Sequence, residues 1–283
     1  MACDLCGAIA YEVIWDKAER EKQGKLQSVI IPGHIHSRNV MCKSCGLVYV
    51  DPKMSREELA KFYVEDYRKI YGGQHSLDAE KRHAQTAYRL MPLGSHLDIG
   101  CSTGELLELT GGQGIEPSEE YCKIAKNNGL KVINTTFEEY SGRQIFNVIT
   151  MLNALEHVYS PTEVLKKIYN LLSEEGIVLI SVPNVLSGTL NIPVDAFLSN
   201  AHLYNFSAAT LGIMMQKCGL KPVTVYLIPE EMGEKVYMIA KKDVEHEIIY
   251  DDNIEKRIEL TKLFLNYSNS LFNLKLVLSG GIK

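Results

Sequence analysis

Two periods of apolar recurrence alternate along this chain. Phe146-Asn147-Val148-Ile149-Thr150-Met151-Leu152 is apolar almost without a break, which predicts a central strand covered on both faces. Ser95 to Ile99, Gln113 to Glu116, Leu130 to Ile133 and Gly176 to Val182 read as further strands. Helical spacing takes over between them: Gly104 to Leu109, Ser118 to Asn127 ending at Gly129, Pro161 to Leu172 with proline at its start, and Ser207 to Cys218 closed by Gly219. Strands alternating with helices predict an α/β fold on a parallel sheet. Val223 to Ile228 and Lys235 to Ala240 are joined only across Pro229 to Glu234, too short for a parallel return, so this last pair is antiparallel. Five parallel strands and a terminal hairpin make seven.

Before this region the pattern differs. Tyr11 to Trp15, Ser28 to Ile31 and Leu47 to Val50 read as short strands, with the charged stretch Asp16 to Lys25 after the first and Asp51-Pro52 as a breaker after the last. From Ser55 to about Leu90 the spacing of Leu59, Phe62 and Tyr63 is helical, and Ser55 with Glu58 forms a capping box. Beyond Val244, residues such as Ile254, Ile258 and Leu265 give a broad helical apolar face that suits packing on the N-terminal module or a homodimer contact. The expected organisation is an N-terminal module (1–52), a helical connection or lid (53–90), the α/β domain (91–243) and a helical extension (244–283).

The turn after the first parallel strand carries the first chemistry. Leu97-Asp98-Ile99-Gly100-Cys101-Ser102-Thr103-Gly104 runs from a strand into a glycine turn, and a lone acid, Glu116, ends the next strand. Small residues let backbone approach a ligand, and an acid at that tip accepts two ribose hydroxyls, which points to an adenosine-containing cofactor. A dinucleotide site wants Gly-x-Gly-x-x-Gly; here Ser102 stands at the middle glycine's place.

The seven cysteines split in two. Cys101, Cys122 and Cys218 stand singly in apolar or helical segments. Cys3-Asp4-Leu5-Cys6-Gly7 and Cys42-Lys43-Ser44-Cys45-Gly46 are two knuckles that together offer Cys3, Cys6, Cys42 and Cys45 to one tetrahedral structural zinc of the ribbon type. Disulfides and a redox dithiol are the alternatives, disfavoured by a cytosolic setting and by the duplication. His34 and His36 are read as solvent or core residues.

With 46% hydrophobic residues among 283, the chain can bury a large core without covalent staples. No apolar run approaches the roughly 20 residues of a membrane span, and no leader pattern opens the sequence, so a cytoplasmic protein is expected. Residues 1–50 hold six Lys or Arg against five Asp or Glu, a poor match to a phosphate backbone, so nucleic acid is not the expected partner.

Asp98-x-Gly100-x-x-x-Gly104 resembles motif I of the class I S-adenosylmethionine (SAM) methyltransferases, and the later segments follow in the same order. Phe146 to Val158, with its Glu156-His157-Val158 turn, resembles motif IV of small-molecule methyltransferases; Gly176 to Asn184 resembles their fifth strand, and Ala201 to Ser207 their His-x-x-x-Phe-Ser segment. The likeness covers roughly residues 55 to 240 and implies the Rossmann-like seven-stranded methyltransferase sheet. The double knuckle is similar to the zinc module of sugar methyltransferases, including C-methyltransferases of deoxysugar pathways. Those longer enzymes carry another C-terminal domain; with this sequence ending at Lys283, transfer to oxygen is expected over carbon.

The resemblance implies the following roles. Asp98, Gly100, Cys101 and Gly104 wall the methionine part of SAM, Glu116 takes the ribose, Thr136 and Phe137 border adenine, and Leu152 with Asn153 border the methionine end. One of Tyr63, Tyr67 and Tyr71, spaced by four, closes over the cofactor. The sulfonium methyl is already electrophilic, so the protein must orient an acceptor and take a hydroxyl proton. Candidate bases are His157, His202, Glu156 and Tyr204; the alternative for Glu156 and His157 is loop anchoring. Quinone O-methyltransferases similar here hold a divalent metal with Glu-x-x-Glu-His, but Asn153 replaces the first acid, so no catalytic magnesium is expected. Asn184, Asn191, Asp195 and Asn200 in the connection from Pro183 to Phe206 suit a hydroxylated, sugar-like acceptor under a lid. Methyl transfer to such an acceptor leads; an RNA methyltransferase and a non-catalytic SAM-fold binding protein are the alternatives.

Overall fold

The computed structural model describes residues 1–23, 37–65, 77–187, 194–198, 201–230 and 233–243, with 255, 258–259 and 261–263 beyond them. The N-terminal part lays down β1 (Tyr11–Asp16), α1 (Lys17–Lys22), β2 (Arg38–Cys42) and β3 (Val48–Asp51), followed by helices α2 (Arg56–Glu65) and α3 (Leu77–Leu90). The α/β region then runs β4 (His96–Ile99), α4 (Glu105–Thr110), β5 (Gln113–Glu116), α5 (Glu119–Asn127), β6 (Lys131–Asn134) and β7 (Phe146–Leu152). After a 3-10 turn at Leu155–His157 come α6 (Pro161–Leu171), β8 (Leu172–Pro183), α7 (Val194–Phe197), β9 (Tyr204–Asn205), α8 (Ala208–Lys217), β10 (Leu220–Glu230) and β11 (Gly233–Lys242).

The main sheet has the order β10-β11-β8-β7-β4-β5-β6, with five parallel strands and the antiparallel β10–β11 hairpin. This is the seven-stranded arrangement expected. β4 starts one branch (β5, β6) and neighbours the other (β7, β8), so the strand order reverses beside it, and a ligand crevice opens outside the carboxyl ends at such a reversal. The sheet buries both faces: Leu179 packs with Ala84, Ala87, Leu106 and Tyr237 on one side, while Ile180 and Val182 join Leu165, Ile168 and Met214 on the other. Alternation along β8 thus serves two layers of helix. At Gly114 a methyl group would overlap the Cys101 sulfur and the Leu107 side chain, so only glycine lets the turn and α4 sit this close to β5.

The cysteine-bearing sheet is β1-β2-β3-β9, all antiparallel. β2 and β9 escaped the sequence pattern: β2 is five residues ending in a knuckle cysteine, and β9 is two residues paired as Val48↔Asn205 and Tyr49↔Tyr204. The α/β region therefore lends a strand to the N-terminal sheet, across the division expected at residue 52. The expected strand Ser28 to Ile31, Tyr67 and Tyr71 lie outside the described residues. Of the C-terminal extension, Ile258 packs on the cluster of Trp15 and Met41, and Lys262 pairs with Glu12 at 2.6 Å. Among the described residues no helix is long and apolar enough to cross a membrane.

Candidate active site

Three left-handed residues shape the turn after β4: Gly100 at φ 74°, Ser102 at φ 53° and Gly104 at φ 97°. Gly100 and Cys101 donate to the Ile115 carbonyl at 2.8 and 3.1 Å, clamping the turn to β5. A methyl at Gly100 would lie 3.0 Å from the Ala154 Cβ, and one at Gly104 would overlap Leu130. Ser102 adopts its left-handed backbone without being glycine, a strain of the kind that collects at ligand sites.

Glu116 is 3% exposed, and its two carboxylate oxygens accept from the Ser102 and Ser118 amides at 3.0 and 2.9 Å. It thereby joins the turn after β4 to the start of α5. A carboxylate accepts up to about four hydrogen bonds, so anchoring two amides and receiving a pair of hydroxyls are compatible.

Asp98 is buried behind this turn. Burial pushes its carboxyl up to about 7 against the lowering effect of the Thr150 hydroxyl, which donates to it at 2.6 Å. Thr150 stands opposite Asp98 in the parallel β4–β7 register and is also 2.7 Å from His96 Nε2. Burial lowers His96 to about 4, so the neutral ring donates through Nε2 to Thr150, and its Nδ1 lies 2.8 Å from the Thr110 hydroxyl, whose one hydrogen is shared with the Leu106 carbonyl at 3.1 Å. His96 and Thr150 thus aim their donors in sequence toward the Asp98 carboxyl. Sequence reasoning missed His96 and Thr150. The available signals were that His96 shares a strand face with Asp98, two residues apart, and that Thr150 is a polar interruption of an apolar strand.

At the carboxyl end of β7, Asn153 takes φ 48°, donates its amide to the Ser181 carbonyl at 2.9 Å and buries a side-chain oxygen without a partner among the described residues. Glu156 is 1% exposed, and among the described residues neither carboxylate oxygen has a hydrogen-bond partner, His157 Nε2 standing 3.9 Å from Oε1. Burial pushes its carboxyl up to about 8. His157 and His202 meet beside it with ring centroids 4.9 Å apart, and donor atoms of the three residues lie within 4.8 Å of one another. His157 Nδ1 is 2.8 Å from the Ala201 carbonyl, and His202 Nδ1 is 3.1 Å from the Phe197 carbonyl. A carbonyl only accepts, so each Nδ1 carries a hydrogen, and in the neutral form of either ring Nε2 is the acceptor. Tyr63 packs edge-on against His157 at 5.7 Å.

The raised carboxyls of Asp98 and Glu156 make a stability prediction. Both bind a proton more tightly folded than unfolded, so their contribution is full below about pH 4 and is lost as pH rises through about 7 and 8. Glu156→Gln is expected to flatten the fall in stability between pH 5 and 8, and to exceed the parent at pH 8 by about 2–4 kcal/mol. Denaturant melts across that range check it; parallel curves for the two proteins refute it.

At the N-terminus the four knuckle cysteines converge, with Cys3 and Cys45 sulfurs 3.6 Å apart, Cys6 and Cys42 3.5 Å apart, and all four within 4.8 Å of one another. Disulfides need about 2.05 Å, whereas thiolates at about 2.3 Å from a tetrahedral zinc are roughly 3.8 Å apart. The two knuckles are built alike, Gly7 and Gly46 at φ 76° and 74° donating back to Cys3 and Cys42. Hydrogen bonding within the set pulls Cys42 down to about 2 and pushes Cys3 up to about 12, and Cys45 rises as well. Donor type, spacing and crowding fit a thiolate-bound dication.

A family model described as a methyltransferase domain matches residues 72–225, more than half of the chain. The chain belongs to this family. Among solved structures, the CcbJ methyltransferase of Streptomyces caelestis superposes with a TM-score of 0.52 at 14% identity, covering 65% of this chain and 99% of that one. The magnesium protoporphyrin IX methyltransferase of Synechocystis PCC 6803, with bound SAH, gives 0.51 at 11% identity, covering 67% of this chain and all (100%) of that one. At such identities the likeness is one of fold. A ubiquinone biosynthesis O-methyltransferase from Actinobacillus pleuropneumoniae serotype 5b (strain L20) is 32% identical over 105 residues, 31% of this chain and 45% of that relative. The chain thus matches less than half of that relative's length.

Within this methyltransferase domain the remaining expected residues divide. Cys101 buries its sulfur with Leu107, Cys122, Ala125 and Val132, so only its backbone faces the turn. Leu152 is half-buried at the end of β7. Thr136 caps a turn by accepting from the Glu139 amide at 3.2 Å, while the Phe137 ring is buried against Tyr140 and its carbonyl accepts from Lys167 at 2.5 Å. The Tyr204 hydroxyl donates to the Tyr159 carbonyl at 3.0 Å and lies 2.8 Å from Lys53 Nζ, and burial pushes the phenol up. The structure brings His157, His202 and Glu156 together and directs the Tyr204 hydroxyl elsewhere.

Proposed function

We propose that the methyltransferase domain transfers the methyl group of SAM to a hydroxyl of a small, sugar-like acceptor, with Cys3, Cys6, Cys42 and Cys45 holding a structural zinc. The observation that carries this reading is the group of Glu156, His157 and His202, a buried carboxylate without hydrogen-bond partners among the described residues, beside two imidazoles that both carry a hydrogen on Nδ1. When bound, SAM supplies an electrophilic sulfonium methyl. The turn from Gly100 to Gly104 gives the donor room, Glu116 receives the ribose hydroxyls while holding the turn, and Asp98 stiffens the strand end behind it. Nε2 of His202 accepts the acceptor's proton as the oxygen attacks. Similarity to an O-methyltransferase supports oxygen as the receiving atom.

The near balance of charge in residues 1–50 supports a small acceptor over RNA; of the polar residues expected to meet it between β8 and β9, Asn184 is buried against Glu234 and Asp195 against Trp15, and Asn191 and Asn200 lie outside the described residues. His202→Ala is expected to lower turnover by about 100-fold or more, the usual scale of a general base, while SAM affinity in calorimetry stays near the parent's. Radiolabelled methyl transfer to a panel of sugars and nucleotide-sugars reads the result. Unchanged turnover in the variant removes His202 from the mechanism, and a panel that stays unlabelled overturns the acceptor class.

A further inference from the structure

We infer that the cysteine-bearing sheet is a template that sets the tautomers of His157 and His202, with Trp15 and Asn39 as positioning residues. Its meaning for acceptor chemistry rests on the function proposed above; the structural coupling does not.

Both imidazoles take their Nδ1 hydrogen-bond partner from one short segment. His202 belongs to it and points Nδ1 at the Phe197 carbonyl, and His157 reaches into it for the Ala201 carbonyl, which also accepts from the Tyr63 hydroxyl at 3.4 Å. The tautomers are therefore set by where these two carbonyls sit.

What holds the segment is the N-terminal sheet, and it holds it on both sides of His202. Ahead of it, the Trp15 indole donates to Asp195 at 2.6 Å, and the Asn39 amide donates to the Leu198 carbonyl at 3.1 Å. The Phe197 carbonyl lies between these two attachments. Behind it, the Val50 amide donates to the Leu203 carbonyl at 2.9 Å, β9 pairs with β3, and the Asn205 amide donates to Asn39 at 3.2 Å. Asn39 is 0% exposed and uses both ends of its side chain, so water cannot take its place. Val194, Phe197 and Leu198 pack with Trp15, Met41 and Val48.

The knuckles govern the register of this template. Asn39 lies in β2, whose last residue is Cys42, and the Cys42 amide bonds to the Leu47 carbonyl at the entry to β3. Cysteines bound to one dication fix the relative position of β2 and β3, and with it the spot where Asn39 meets Leu198 and Asn205.

The test reads imidazoles rather than turnover. In the full zinc-loaded chain labelled with 15N-histidine, ring-nitrogen correlations are expected to show His157 and His202 each as one Nδ1–H tautomer. Trp15→Phe keeps an aromatic ring in the cluster and removes its donor, and Asn39→Ala removes the two-ended bridge. In both variants the His202 and His157 ring signals should shift or average between tautomers, with His96, held by Thr110 and Thr150 inside the main sheet, unchanged. SAM affinity in calorimetry should stay within about twofold. Removing zinc with a chelator should reproduce the effect, and restoring it should reverse it. If Asn39→Ala does not fold, Trp15→Phe and the chelation arm decide. Unchanged His202 signals, or His96 signals lost together with them, overturn the inference. Loss of methyl transfer in His202→Ala is read separately, so an inert His202 with a zinc-dependent tautomer would refute the base and leave the template standing.

Discussion

Cys42→Ser is expected to leave the purified chain without its N-terminal metal and to lower its melting temperature by roughly 6–9 °C. Structural zinc in small peptide modules carries about 10–16 kcal/mol of apparent binding energy, because the site does not exist in the unfolded chain. Here the sheet is also held by its packing: Cys3, Leu5, Val40 and Leu47 belong to the same buried cluster as Ile149 and Ile180. Only a fraction of the zinc contribution is therefore expressed as global stability, and about 3 kcal/mol at roughly 2–3 °C per kcal/mol gives the stated shift. Serine is nearly isosteric but a weak zinc ligand, so the loss is one of coordination and not of volume. Metal analysis and a thermal melt on the same sample check the result. A variant that retains one zinc per chain and the parent's melting temperature would falsify a structural four-cysteine site.

Glu116→Ala is expected to weaken SAM binding by about 100- to 1,000-fold, or roughly 3–4 kcal/mol. Two losses add. Hydrogen bonds from ribose hydroxyls to an ionised carboxylate contribute roughly 1.5–3 kcal/mol. The Ser102 and Ser118 amides, bonded to this side chain at 3.0 and 2.9 Å, also lose their acceptor, and Ser102 already sits in a strained left-handed conformation. Without the anchor the turn relaxes, and its ordering is charged to SAM binding. Glu116→Gln should fall between the two, since one amide oxygen remains as acceptor while the new NH2 faces an amide hydrogen. Calorimetry on variants with parent-like melting curves reads the effect; binding within about threefold of the parent would show that Glu116 only organises the turn.

Much of this architecture was legible residue by residue. β7 was found at its observed bounds because a strand covered on both faces needs an unbroken apolar run, and Phe146 to Leu152 is one. The hairpin of β10 and β11 followed from the shortness of its connection. The turn after β4 and the two knuckles were visible because left-handed backbone at Gly7, Gly46, Gly100 and Gly104 selects glycine at those places. β9 was invisible for the opposite reason: two residues have no period, and Tyr204–Asn205 form a strand only because β3 offers an edge. His96 and Thr150 were missed since their role exists only across a parallel register that joins residues 52 positions apart.

By itself the amino-acid sequence determined the main sheet's membership, the glycine turn after β4 and the four-sulfur set, all properties of spacing within a few residues or of one strand's exposure. The tertiary structure alone decided that His202 meets His157 beside Glu156, that both rings hold their hydrogen on Nδ1, and that Asp98 and Glu156 are poised to keep protons near neutrality. Those are matters of desolvation and of where distant carbonyls come to rest, and neither leaves a local pattern in the chain.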